Sequence, residues 1–172
     1  MNTLRLARTV TRRGLLICLL CSLAIVASVW SAPAGGPVPL AVLDTFNISG
    51  ATPPDGYDVS FEGVFTSIIG RDVASGTSRM DVKFVTSDIV HCKFTWVRSD
   101  GKGTLVLASV CVLSNGHGAW HVESGTGRYK NFTAVGTETF GPLTTGPFTN
   151  FERFAGIGEF GGHGGDEHGG KQ

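Results

Sequence analysis

From Ile89 to Val97 the chain reads IVHCKFTWV, and every second side chain is apolar: Val90, Cys92, Phe94 and Trp96. A spacing of two is the signature of an extended strand, whose side chains point alternately to opposite faces. One face of this strand therefore belongs to a core, while His91, Lys93 and Thr95 on the other face water. The same habit recurs along the chain, and no amphipathic helix of convincing length interrupts it. The pattern predicts strands near Leu40–Ser49, Tyr57–Ile68, Ser78–Thr86, Ile89–Val97, Thr104–Leu113, Ala119–Glu123, Phe132–Phe140 and Phe148–Phe154.

Turn chemistry separates these runs. Thr52-Pro53-Pro54-Asp55-Gly56 cannot pair, because proline lacks an N–H and Asp-Gly favours a turn. Ser99-Asp100-Gly101-Lys102-Gly103 and Ser114-Asn115-Gly116-His117-Gly118 read as glycine-bearing hairpin loops. Short strands joined by short turns, with no helical crossover, predict an all-β, antiparallel domain. Seven or eight strands in this arrangement fit a barrel or a β-sandwich.

The central hairpin predicts a register. A turn centred between Gly101 and Lys102 sets Trp96 opposite Leu107, Phe94 opposite Ser109, Val90 opposite Leu113 and Cys92 opposite Cys111. Directly opposed residues bring Cβ atoms to about 4.5–5.5 Å, just within reach of a strained cross-strand disulfide. Cys92 and Cys111 are thus expected to be bonded, the alternative being two buried thiols that act as small hydrophobes.

The start of the chain is of another kind. Arg5, Arg8, Arg12 and Arg13 precede an apolar run, Leu15 to Trp30, and then a small-residue, proline-rich SAPAGGPVP. A helix of 16 residues is about 24 Å long, short of the roughly 30 Å of a bilayer core. Basic, apolar and small-residue regions in that order read as a secretory signal peptide over 1–34, with Ala32-Pro33-Ala34 fitting the cleavage site. Thr11-Arg12-Arg13-Gly14-Leu15-Leu16 resembles the bacterial twin-arginine signal, with general secretion as the other reading. Cys18 and Cys21 follow Ile17 and Leu20, where a lipobox wants a small residue; an uncleaved anchor is the remaining alternative. Export, to the periplasm or beyond, also suits a disulfide. The membrane is expected to matter only through this segment before cleavage.

Without the leader the chain keeps ten of its 14 basic residues against all 14 acidic ones, a net charge of −4. Nucleic-acid binding, which needs a basic surface, is not expected. Residues 35–160 remain as one barrel domain. The tail from 161 to 172, GGHGGDEHGGKQ, cannot build a core. Its His163 and His168, with Asp166 and Glu167, are weak metal candidates lacking a closed four-ligand spacing. No metal or cofactor is assigned.

SGTGRYKNFTAVGTETF, residues 124–140, poses a backbone problem. Gly125 and Gly127 flank Thr126 and suit a tight bend. Tyr129 follows as an aromatic plug opening the next strand, and Gly136 interrupts that strand, as at a bulge, a sharp coil or a close backbone approach. A phosphate cradle would need a helix after the glycines, and alternating β-branched residues stand there instead. Gly125-Thr126-Gly127-Arg128-Tyr129, with Gly136 seven residues on and Trp120 a few residues ahead, resembles the Gly-Thr-Gly-x-aromatic…Gly element of dirigent proteins and allene oxide cyclase-like barrels. The likeness is concentrated in residues 119–140. It implies an all-β fold, an antiparallel closed barrel of about eight strands, calycin-like, with a β-sandwich as second choice; a cavity that in some relatives holds an apolar or phenolic ligand; and a homo-oligomer, a trimer in several relatives. No match to the acidic catalytic residues of the plant enzymes is found, so no catalytic role is carried over.

Candidate chemistry is sparse. Phe94, Trp96, Trp120 and Tyr129 are the candidates to line a ligand cavity; the favoured alternative is that the aromatics fill the barrel. His91, His117 and His121 lie far apart without a nucleophile elbow, and Glu62 with Glu123 or Glu138 is the imaginable carboxylate pair. Asn47-Ile48-Ser49 and Asn131-Phe132-Thr133 match a glycosylation sequon, which carries little weight if the twin-arginine reading holds and the cell is bacterial. The expected function is an exported, non-enzymatic barrel that binds a small apolar molecule or self-assembles. The alternative is a cyclase- or isomerase-like enzyme that shapes a reactive apolar substrate in the barrel. A cavity with an inward carboxylate would favour the latter; a solid barrel would favour assembly.

Overall fold

The structure, a computed structural model, describes residues 36–161. The expected leader over 1–34 and the tail histidines His163 and His168 lie outside the described residues. Eight strands follow one another: β1 (Val38–Ile48), β2 (Val59–Ile69), β3 (Asp72–Phe84), β4 (Ile89–Arg98), β5 (Thr104–Val112), β6 (His117–Gly125), β7 (Phe132–Pro142) and β8 (Asn150–Phe160). Each pairs antiparallel with the next, and β8 returns to β1, so the sheet closes into a barrel rather than a sandwich. The closing seam runs from Val38 opposite Gly158 to Phe46 opposite Asn150.

Alternation decides what each strand buries. On β1, Leu40, Val42, Asp44 and Phe46 point inward and are buried, while Ala41 and Leu43 are exposed. On β4, Val90, Cys92, Phe94 and Trp96 are buried as expected. Phe154 packs edge-on against both Phe94 and Trp96 at 5.0 Å between ring centres, and Phe65 stacks on Trp96 at 5.6 Å. These rings fill the middle of the barrel.

The expected register of the central hairpin is two residues out. Trp96 faces Leu105, Phe94 faces Leu107, Cys92 faces Ser109 and Val90 faces Cys111. The connection is a loop from Arg98 to Gly103, closed by the Arg98 N–H on the Gly103 carbonyl (3.1 Å) and the Gly101 N–H on the Arg98 carbonyl (3.2 Å), with Gly101 at φ 70°. A slip of two preserves the face of every side chain, because the pleat repeats every two residues, so the core residues stand and the partners change. Cys92 and Cys111 become diagonal neighbours. Their sulfurs lie 3.9 Å apart and both thiols are free and buried, so the expected disulfide is not formed.

Two strands run well beyond their expected limits. β3 begins at Asp72, six residues early, and β8 continues to Phe160, six residues late. Both extensions contain glycines (Gly76, Gly156 and Gly158), a residue that ordinarily weakens a strand interior. They are instead positions where another group approaches the sheet. A Cβ on Gly136 or on Gly156 would lie 2.6 Å from the Trp120 ring. The two glycines face each other across β7 and β8, and together they make the flat bed on which the indole lies. Gly136 therefore marks a close approach; the β-bulge sits on β6, where Glu123 is the extra residue between the partners of Val106 and Leu107.

The Gly-Thr-Gly-Arg-Tyr element closes one end of the barrel. Gly127–Tyr129 form a 3-10 turn, not the start of a strand. Gly127 has φ 55°, and a Cβ on it would meet the Lys102 carbonyl at 2.3 Å. Thr126 ties the turn to β5: its Oγ1 accepts the Thr104 N–H at 3.0 Å, and its own N–H donates to the Thr104 carbonyl at 2.9 Å. Tyr129 is thereby driven inward as a plug, 2% exposed. The buried Arg98 donates to its hydroxyl at 3.0 Å and pairs with Asp72 and Asp100.

Candidate functional site

The other end of the barrel is open. It is formed where β1, β3, β5 and β7 end and β2, β4, β6 and β8 begin. A cavity of about 540 Å3 enters there. Its walls are mainly apolar: Phe46, Phe61, Met80, Val82, Val90 and Phe140 are among them. Ile48, Phe84 and Leu113 stand at the rim and are exposed. Deeper in, the lining turns to Cys92, Cys111 and Glu152.

Glu152 belongs to a belt of buried acids. Asp44, Glu138 and Glu152 are 0%, 1% and 4% exposed. Each occupies an inward position of its strand, where alternation places an apolar residue. Asp44 and Glu152 are direct partners across β1 and β8. Glu138 on β7 is opposite Phe154, so it is diagonal to Glu152. Directly opposed side chains have Cβ atoms about 4.5–5.5 Å apart and diagonal ones about 7–8 Å, so the three carboxyls share one neighbourhood.

Their hydrogen bonding differs. Asp44 accepts the Trp96 indole N–H at 2.8 Å and the Ser78 hydroxyl at 2.7 Å. Glu138 accepts the Cys111 thiol at 2.8 Å on Oε1, while its Oε2 has no partner. Gly118 makes that contact feasible, because a Cβ there would sit 2.3 Å from Glu138 Oε1. The Oε2 of Glu152 is also unpartnered.

Burial disfavours charge in such a place. It raises Asp44 from 3.8 to about 6, against the opposing pull of Ser78 and Trp96. Burial likewise raises Glu138, with the Cys111 and Ser109 contacts working the other way. Glu152 is pushed well above the ordinary range by burial and then by Glu138, Cys111 and Asp44. The Cys111 thiol is raised by its contact with Cys92 and by burial, so it stays protonated and donates. A neutral carboxylic acid in an apolar pocket is a hydrogen-bond donor and a potential proton source.

The four aromatic candidates do not line this cavity. Phe94, Trp96 and Trp120 pack the barrel beneath it and Tyr129 closes the far end. His91, His117, His121, Glu62 and Glu123 are exposed on the outside and converge on nothing inside. Glu138 alone of the imagined carboxylate pair faces in, and its acidic neighbours are Glu152 and Asp44. Among the described residues no three His, Cys, Asp or Glu side chains are grouped to hold a metal. The three acids were legible in principle: each breaks the apolar alternation of its own strand.

No family model and no curated protein matches the chain. Among solved structures it is similar to the pterocarpan synthase dirigent protein GePTS1, at 12% identity and TM-score 0.47, over 74% of this chain and 91% of that one. It is similar to the pterocarpan synthase dirigent protein PsPTS1 at 12% identity and TM-score 0.47, over 76% and 97%. A pyocyanin demethylase follows at 14% identity and TM-score 0.40, over 70% and 99%. The closed barrel of eight antiparallel strands is the architecture that the resemblance to dirigent and allene oxide cyclase-like barrels implies.

Proposed function

We propose that this protein is an exported barrel that binds a small apolar molecule in the cavity at its open end. One observation carries the reading: an apolar-walled cavity of about 540 Å3, open at one end, in a barrel whose middle is packed with aromatic rings. Small-molecule sites are commonly about 300–1,000 Å3, apolar, with a few placed polar groups. A cavity of this kind favours a ligand over self-assembly as the primary role. Export rests on the basic, apolar and small-residue order of the leader.

The test is a titration of the mature barrel with Nile red, an uncharged apolar dye that brightens on leaving water. Saturable binding is expected, weakened at least about tenfold by Met80→Trp, which fills the cavity from its wall. Absence of saturable binding, or equal affinity in a folded Met80→Trp barrel, would overturn the reading.

One feature favours a second, cyclase- or isomerase-like reading: the Glu152 carboxyl in the cavity lining could protonate a bound substrate. That reading requires turnover. Glu152→Gln protein that, at a small fraction of the substrate concentration, converts an unsaturated substrate as fast as the parent would remove it.

A further inference from the structure

Three acids share the inside of this barrel with no base among them. Among the described residues, those lining the cavity include no Lys, Arg or His. Among the described residues Arg98 is the one buried base, and it is engaged with Asp72, Asp100 and Tyr129 at the closed end. The charge of the belt is therefore uncompensated, and repulsion between like charges disfavours ionising all three together.

The hydrogen bonds decide where a proton stays. Asp44 has two donors directed at it, from Trp96 and Ser78. Glu138 has Cys111 on its Oε1 and Ser109 within reach. Such bonds favour the charged form. Glu152 Oε2 has none, yet Glu152 is 4% exposed and lines the cavity. The titratable groups around it are Asp44 from β1, Glu138 from β7, Cys111 from β5 and Cys92 from β4; the histidines of β4 and β6 point outward. Every one of these neighbours is an acid.

We infer that Glu152 determines which ligands enter: as a neutral acid it donates a hydrogen bond to an uncharged apolar molecule bearing an acceptor oxygen, such as a ketone, and it rejects carboxylate-bearing amphiphiles. This inference rests on the binding role proposed above. A ligand carboxylate would bring one more acid to a site without a base. A pure hydrocarbon offers the Glu152 hydroxyl no acceptor. A ketone of matching shape satisfies it while its rings meet Phe46, Phe61 and Val82. The raised titration of Glu152 agrees with this placement of the proton.

The test compares four probes of one shape on the mature barrel at pH 6 by calorimetry: 2-acetylnaphthalene, naphthalene, 2-naphthoate and 2-naphthylmethylammonium. The ketone is expected to bind about tenfold more tightly than naphthalene, one good hydrogen bond's worth, with the carboxylate weakest. In Glu152→Leu the ketone and naphthalene should bind alike. In Glu152→Gln, whose amide still donates, the ketone preference should survive. In the parent it should decline as pH rises and Glu152 ionises. Naphthalene binding without a ketone preference would overturn this inference and leave the cavity reading intact. Failure of all four probes would overturn both. Tightest binding of the ammonium probe would mean ionised carboxylates and would refute the neutral acid.

Discussion

Raising the pH should weaken this barrel, and the reason lies in Asp44. In the unfolded chain its carboxyl titrates near 3.8; in the barrel, burial raises it to about 6. The folded state thus prefers the protonated form. Its contribution to stability is complete below about pH 4 and is lost as pH rises through about 6. A shift of about two units corresponds to about 3 kcal/mol at about 1.4 kcal/mol per unit. For a barrel of this size that is about 10 °C in melting temperature, and a large share of a typical 5–15 kcal/mol of total stability. Glu138 and Glu152 shift in the same direction and extend the loss to higher pH. The assay is urea denaturation of the protein at pH 4.5 and pH 8, followed by tryptophan fluorescence, with Trp96 hydrogen-bonded to the titrating group. Asp44→Asn should flatten the lower part of the pH dependence, at a cost of about 1 kcal/mol for a weakened hydrogen bond to Trp96 or Ser78. Stability that rises from pH 4.5 to 8, or that is level across that range, would refute the account of three buried, uncompensated acids.

Three further outcomes follow from the packing. Gly156→Val should destabilise by more than about 2 kcal/mol in denaturant, because the added carbons meet the Trp120 ring and the Val135 carbonyl. Arg98→Met should cost about 2–3 kcal/mol, because it removes the pairs with Asp72 and Asp100 and leaves Asp72 only the more exposed Arg128 at 3.3 Å, whereas Tyr129→Phe, losing one hydrogen bond, should cost about 1 kcal/mol; thermal melts of the two variants separate these. Cys92 and Cys111 should both count as free thiols in unfolded protein and stay unreactive toward an aromatic disulfide reagent in the native barrel, since both are buried and Cys111 is held protonated.

What the sequence determined alone was parity. The period of two in Val90, Cys92, Phe94 and Trp96 depends only on the pleat of a strand, and the inward face it names is the buried one. Turn residues, equally local, placed eight strands, and the Gly-Thr-Gly-Arg-Tyr stretch carries its bend and aromatic plug in its own residues, though its 3-10 turn does not show there. Register was beyond local reach. Whether Cys92 meets Cys111 or Ser109 depends on how the Arg98–Gly103 loop closes, and both answers keep the same faces. Gly136 left a bulge, a coil and a close approach open, and Gly76 and Gly156 carried no signal, because the groups that approach them, Phe65 and Trp120, belong to other strands. The acids show the same division. Their inward positions at 44, 138 and 152 could be read strand by strand. Only closure of β8 onto β1 brought Asp44 beside Glu152 and set both near Glu138, with no base to balance them, because the electrostatics of a buried group depend on neighbours that are distant along the chain.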